Sequence, residues 1–139
     1  MSFERKGEYM SNVLVVDDQL GVRRLLFETF REEGHHVEMA ANGTEALLIL
    51  KKFHPDLILM DMKMPEMNGI DTLRQIRTID KEVGVIMMTA YGDAHNMEQV
   101  QELGVMHYIS KPFDLFELRD RVREILSKVE TQKAALSGE

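Results

Sequence analysis

Three aspartates, a threonine and a lysine stand at or just beyond the ends of short apolar runs. Asp17 and Asp18 follow Val13-Leu14-Val15-Val16, and Asp61 follows Leu57-Ile58-Leu59-Met60. Thr89 ends Val85-Ile86-Met87-Met88, and Lys111 comes just after Met106-His107-Tyr108-Ile109. Three carboxylates brought together repel one another, so either a cation sits among them or some take up protons. An oxygen-only donor set, without His or Cys, favours Mg²⁺, with Mn²⁺ or Ca²⁺ as substitutes. A carboxylate beside such an ion can attack phosphorus and form an aspartyl phosphate. Lys111 can then pair with phosphoryl oxygens, and Thr89 can donate a hydrogen bond to them. Taken singly, each residue has a plainer reading: Asp17-Asp18 as a helix cap, Asp61 as a loop acid, Thr89 as a strand residue, Lys111 as a solvated loop cation. Together at one sheet edge they favour chemistry. Asp56, at the opposite end of the third run, is assigned none. The histidines (His35, His36, His54, His95, His107) are scattered without paired-ligand spacing and read as surface or partly buried residues.

Positioning these groups requires an alternation of strands and helices. The spacing of Val22, Leu25, Leu26 and Phe30 predicts a first helix, stopped at Gly34. His36–Ala40 reads as a second strand. Thr44 is expected to cap a second helix reaching Phe53, after the Asn42-Gly43 turn. Pro55 introduces a third strand, Asp56–Asp61, and the loop Met64–Gly69 leads to a helix over Ile70–Ile79. A fourth strand, Val85–Met88, precedes a helix over Asp93–Leu103, stopped at Gly104. A fifth strand, Met106–Ile109, leads to a last helix capped by Asp114, and a polar tail from Glu130 is expected to fray. Five strands alternating with five helices imply a parallel sheet covered on both faces, and of the few topologies that right-handed crossovers leave, the leading one is a flavodoxin-like (βα)5 doubly wound sheet of order 2-1-3-4-5. Strands 1 and 3 are then neighbours at the switch point, where such sheets bind ligands. The predicted organisation is a lead over 1–11, one domain over 12–129 and a tail over 130–139.

Composition narrows the classes. A chain of 139 residues suits one domain. Without cysteine there is no disulfide framework or thiol nucleophile. No apolar stretch has the length of a membrane span and the N-terminus lacks a signal-like apolar run, so a cytoplasmic location is expected. A net charge of −7 gives no footprint for nucleic acid. No membrane partner is expected, and a monomer is the default.

The motifs Val15-Val16-Asp17-Asp18, Leu59-Met60-Asp61-Met62-Lys63-Met64-Pro65, Asn68-Gly69, Met88-Thr89-Ala90 and Lys111-Pro112-Phe113 occur in this order over about residues 12–129. On them the chain resembles the response-regulator receiver family. The resemblance implies that Asp61 is the phosphoacceptor and that Asp18 is a direct Mg²⁺ ligand, with Asp17 acting through water and Lys63 through its backbone carbonyl. It implies phosphoryl contacts from Thr89 and Lys111, a switch role for Thr89 and Tyr108, and a cis Lys111–Pro112 bond. The segments Asp17–Arg23, Ala40–Gly43, Asp61–Lys63, Met88–Gly92 and Lys111–Asp114 are most similar to the single-domain, sporulation-phosphorelay type. That type takes phosphoryl from sensor histidine kinases and passes it to a histidine phosphotransferase, and phosphatases are further candidate partners. Two departures from it are the longer ends and Tyr108, where that type carries histidine.

A partner histidine must reach Asp61, so the expected contact surface is Gln19, Gly21, Val22, Leu25, Tyr91, Gly92, Pro112 and Phe113, with core packing the alternative for Val22 and Leu25. Lys63 and Tyr91, two residues past Asp61 and Thr89, are placed to shield a phosphoaspartate from water. The domain would catalyse its own phosphorylation and only slow dephosphorylation. Two further classes stay open: a stand-alone receiver that binds a target without onward transfer, and a flavodoxin-like cofactor binder. Asp17-Asp18 would repel the phosphate of a flavin.

Overall fold

The computed structural model describes residues 10–89 and 97–136. Its elements run β1 (Asn12–Val16), α1 (Leu20–Glu32), β2 (His36–Ala40), α2 (Gly43–Leu50), β3 (Leu57–Asp61), α3 (Gly69–Ile79), β4 (Gly84–Thr89), α4 (Met97–Glu102), β5 (His107–Ser110) and α5 (Leu115–Leu136). The five strands form one parallel sheet in the order β2-β1-β3-β4-β5, as predicted.

Burial follows position in the sheet. The central strands β3 and β4 are buried at every residue, and β1 at all but Asn12. Such strands carry solid apolar runs because helices cover both faces. The edge strands β2 and β5 retain exposed or half-exposed positions. Two cores result. On one side Leu14, Ile58, Met60 and Met87, with Met62 and Met64 beyond β3, meet Ala46 and Leu50 of α2, Leu73 and Ile76 of α3, and Val100 of α4. On the other, Val13, Val15, Leu59 and Met88 meet Leu26 and Phe30 of α1 and Leu118 and Val122 of α5.

Gly34 (φ 95°) and Gly104 (φ 77°) follow α1 and α4 in the left-handed conformation that ends a helix cheaply only at glycine. Several boundaries differ from expectation. Asn42, not Thr44, caps α2, its side chain accepting from the Glu45 N–H at 2.8 Å. Asn68 does the same for α3 through the Asp71 N–H at 2.9 Å. In both, the residue after the Asn is a glycine that opens the helix, so the cap lies earlier than an apolar-period reading suggests, by two positions from Thr44 in α2. The last helix continues to Leu136, through much of the segment read as a tail. Leu25 is 46% exposed, off the core face on which the spacing had placed it. His35 is buried, more deeply than predicted. Asp56 lies before β3, where its carboxylate accepts the Asn12 N–H at 2.8 Å.

Candidate functional site

Parallel strands all end on the same side, so their C-terminal residues share one rim. Register places Val16 of β1 against Met60, and Asp61 of β3 against Met88. Asp17 and Asp18 follow β1 directly, and Thr89 ends β4 one residue past the partner of Asp61. Thr89 pairs with Ser110, the last residue of β5, which puts Lys111 one residue past that level at the same rim. The Lys111 N–H donates to the Thr89 carbonyl at 2.7 Å, and the Lys111–Pro112 bond is cis.

The side chains converge as the register requires. One carboxylate oxygen from each of Asp17, Asp18 and Asp61 lies within 4.8 Å of the others. Asp17 is fully buried and Asp61 nearly so, while Asp18 is exposed. Asp17 Oδ1 accepts the Gln19 N–H at 2.8 Å, and Asp17 Oδ2 accepts from Lys111 Nζ at 2.7 Å. The plainer reading of Asp17-Asp18 as a helix cap does not hold, since the cap residue of α1 is Gln19, with no side-chain cap bond; one Asp17 oxygen instead accepts from the Gln19 N–H while the other holds the lysine. Lys111 Nζ is 3.4 Å from Asp61 Oδ2, and the Lys63 N–H reaches Asp61 Oδ1 at 3.3 Å. The Asp17 carbonyl accepts from Arg23 Nη1 at 2.7 Å, a contact the motifs did not suggest.

Electrostatics mark the cluster as unfinished. Burial, then the charge of Asp17, pushes the Asp61 carboxyl up to about 6, against the opposing pull of Lys111. Burial would lower the Lys111 ammonium, but its hydrogen bond to Asp17 and the charges of Asp61 and Asp17 hold it above the ordinary lysine value. Three acids against one ammonium leave two formal negative charges, which a divalent cation cancels. The donors are all oxygen, so the residues fit a hard ion such as Mg²⁺.

A receiver-domain sequence model matches residues 13–123, described as "Response regulator receiver domain". The chain belongs to the response regulator receiver family. Among curated proteins, this receiver is 47% identical over 114 residues to "Sporulation initiation phosphotransferase F" of Bacillus subtilis (strain 168), covering 82% of this chain and 92% of that protein. It is 39% identical over 117 residues to "Regulatory protein AtoC" of Escherichia coli (strain K12), covering 84% of this chain but 25% of that one. Among solved structures it resembles the chemotaxis response regulator CheY4 of Vibrio cholerae, with TM-score 0.76, 29% identity, and coverage of 84% of this chain and 98% of that one.

Beside the receiver's acid cluster runs a groove of about 480 Å³ lined by Gln19, Val22, Leu25, Lys111, Pro112 and Phe113. Five of the expected contact residues therefore share one surface, with Lys111 joining it to the acids. Exposed Gly21 lies on the same first turn of α1, whereas Tyr91 and Gly92 lie outside the described residues. Tyr108 is half-buried against the core that holds Met60 and Met87, and its hydroxyl is buried with no hydrogen-bond partner among the described residues. Burial pushes that phenol up from its ordinary value. No helix among the described residues is long and apolar enough to cross a membrane.

Proposed function

We propose that this receiver accepts a phosphoryl group on Asp61 from a sensor histidine kinase and relays it to a histidine phosphotransferase, in a phosphorelay of the sporulation type. The observation that carries the proposal is the placement of Asp61 beside Asp17, Asp18 and Lys111 at the sheet rim. The name of the 47% identical Bacillus subtilis protein supports the sporulation setting.

In the forward step an Asp61 carboxylate oxygen attacks the phosphorus of a phosphohistidine. The O–P bond forms as the P–N bond breaks, and the electron pair returns to the imidazole nitrogen, which takes a proton from solvent. Onward transfer is the same displacement in reverse, with a neutral histidine nitrogen as nucleophile and the Asp61 carboxylate as leaving group. Asp18, Asp61 and the Lys63 carbonyl would hold Mg²⁺, with Asp17 acting through water, and the ion would supply neutralisation of the transferring charge. Lys111 stays tethered to Asp17 until phosphoryl oxygens arrive, then pairs with them as a point charge. Thr89 donates its hydroxyl to the new oxygens, and Tyr108 follows into the space it leaves. Phosphorylation adds about two negative charges at neutral pH, and contacts made only in that state shift the population. The groove along α1 and Pro112-Phe113 receives the partner that carries the histidine.

The test is transfer of radiolabelled phosphoryl from a phosphorylated kinase or acetyl phosphate, with and without Mg²⁺. Labelling is expected to need the metal and to vanish in Asp61→Asn. Chase with a purified histidine phosphotransferase should move the label. A labelled receiver that never gives it up supports the stand-alone, target-binding receiver instead.

A further inference from the structure

Gly69 opens α3 at the place where the helix meets the end of β3. A β-carbon there would sit 2.6 Å from the Asp61 carbonyl oxygen, 2.9 Å from Met62 Cα and 3.2 Å from the Met62 carbonyl oxygen. All three are main-chain atoms, so no side-chain rotation relieves the overlap. The backbone angle is not the reason for glycine, since Gly69 is not among the residues with positive φ. The reason is close approach.

The approach is put to use. The Gly69 N–H donates to the Met62 carbonyl at 2.8 Å, and the Met62 N–H donates to the Met88 carbonyl at 2.9 Å. The first turn of α3 is thus bonded to the residue after Asp61, and that residue is bonded across to β4. Neither neighbour can move away easily. β3 is paired on both sides, and α3 is fixed by fully buried Leu73 and Ile76. Between Met62 and Gly69 runs the segment 63–68, which carries Lys63, whose N–H reaches Asp61 Oδ1 at 3.3 Å.

We propose that Gly69 is a positioning residue for the metal and phosphoryl site: its missing side chain seats α3 on the Asp61–Met62 backbone and thereby fixes the Lys63 segment beside the acids. This rests on the reading of Asp61, Asp18 and the Lys63 carbonyl as Mg²⁺ ligands. A methyl group at position 69 transfers its displacement to that segment. The expected result is a loss of Mg²⁺ affinity of about 10-fold or more, the range seen when a residue that orients metal ligands is altered.

The experiment is calorimetric titration of the full chain with MgCl₂ for wild type, Gly69→Ala and Val122→Ala. Val122 is fully buried in the core on the α1 and α5 side and serves as the stability control. Support is a tenfold weaker Gly69→Ala beside a Val122→Ala that loses comparable thermal stability yet binds like wild type. Gly69→Ala binding like wild type overturns the proposal, as does equal weakening in both variants, which would make the effect one of stability alone. A wild type that takes up no Mg²⁺ overturns the metal reading, a distinct failure. Should Gly69→Ala fold poorly, all three titrations are run in trimethylamine oxide, which favours the compact state.

Discussion

Asp61 meets opposing demands from the fold and from chemistry. Burial and the neighbouring acids raise its carboxyl to about 6, from an ordinary value of 3.8. An acid raised on folding costs nothing below its unfolded value, and its penalty grows to full size as pH climbs past the folded one. The difference of roughly two pH units corresponds to about 3 kcal/mol at most. In metal-free protein, Asp61→Asn should therefore raise the urea midpoint at pH 7.5, with the gain shrinking toward zero near pH 4. A gain independent of pH would show that the buried charge is not what the fold feels. Lys63 poses a different question, because its side chain is exposed while its N–H faces Asp61. If its length shields the phosphoaspartate from water, phosphorylated Lys63→Asn should decay several-fold faster than wild type. Equal half-lives would leave the shielding elsewhere.

Between elements, two arginine arrangements hold what the sheet does not. Glu33, just after α1, bridges Arg119 at 2.9 Å and Arg123 at 2.6 Å on α5. The Arg123 hydrogen bond, helped by Arg119 and opposed by burial, holds the Glu33 carboxyl below its usual value. A depressed acid stabilises above its unfolded value near 4.5 and loses that contribution as pH falls through the folded one. Glu33→Gln should cost about 1 kcal/mol at pH 7, because the pairs are partly solvated. The cost should shrink in denaturant titrations as pH is taken below 4.5. On the opposite face, Arg77 of α3 donates to the carbonyls of Leu103 (2.7 Å), Val83 (2.8 Å) and Gly104 (3.3 Å). Its planar fork ties the end of α4 to the turn before β4. Arg77→Lys keeps the charge but loses the fork, so amide exchange at Leu103 and Gly104 should accelerate while the β1 and β3 amides stay protected. Neither arrangement was legible in the sequence, since Glu33 and its arginines lie 86 and 90 residues apart, and Arg77 and its acceptor at Leu103 lie 26 apart. Local patterning carries no signal at that distance.

For the whole molecule, the alternation of apolar runs and helical periods implied a parallel sheet and left few topologies; the leading one is the observed strand order, and that order brings Asp17, Asp18, Asp61, Thr89 and Lys111 to one rim. What patterning could not supply was which oxygen Lys111 occupies, the closeness of α3 to Asp61, and the exposure of Leu25, all of which depend on how layers settle against each other. The charge left over at the rim predicts a stabilising ion. Mg²⁺ at about 100 times its dissociation constant should add about 2.7 kcal/mol to unfolding and raise Tm by several degrees. That rise should be lost in Asp18→Ala. The two cores also contain more than packing. Met60, Met62, Met64 and Met87 lie in one and Met88 in the other, in a chain without tryptophan. Selective ¹³C labelling of their terminal methyls would therefore equip the unaltered protein with resonances within a few residues of Asp61 or its β4 neighbours. Whether phosphorylation repacks one face of the sheet or both could then be read without attaching a dye.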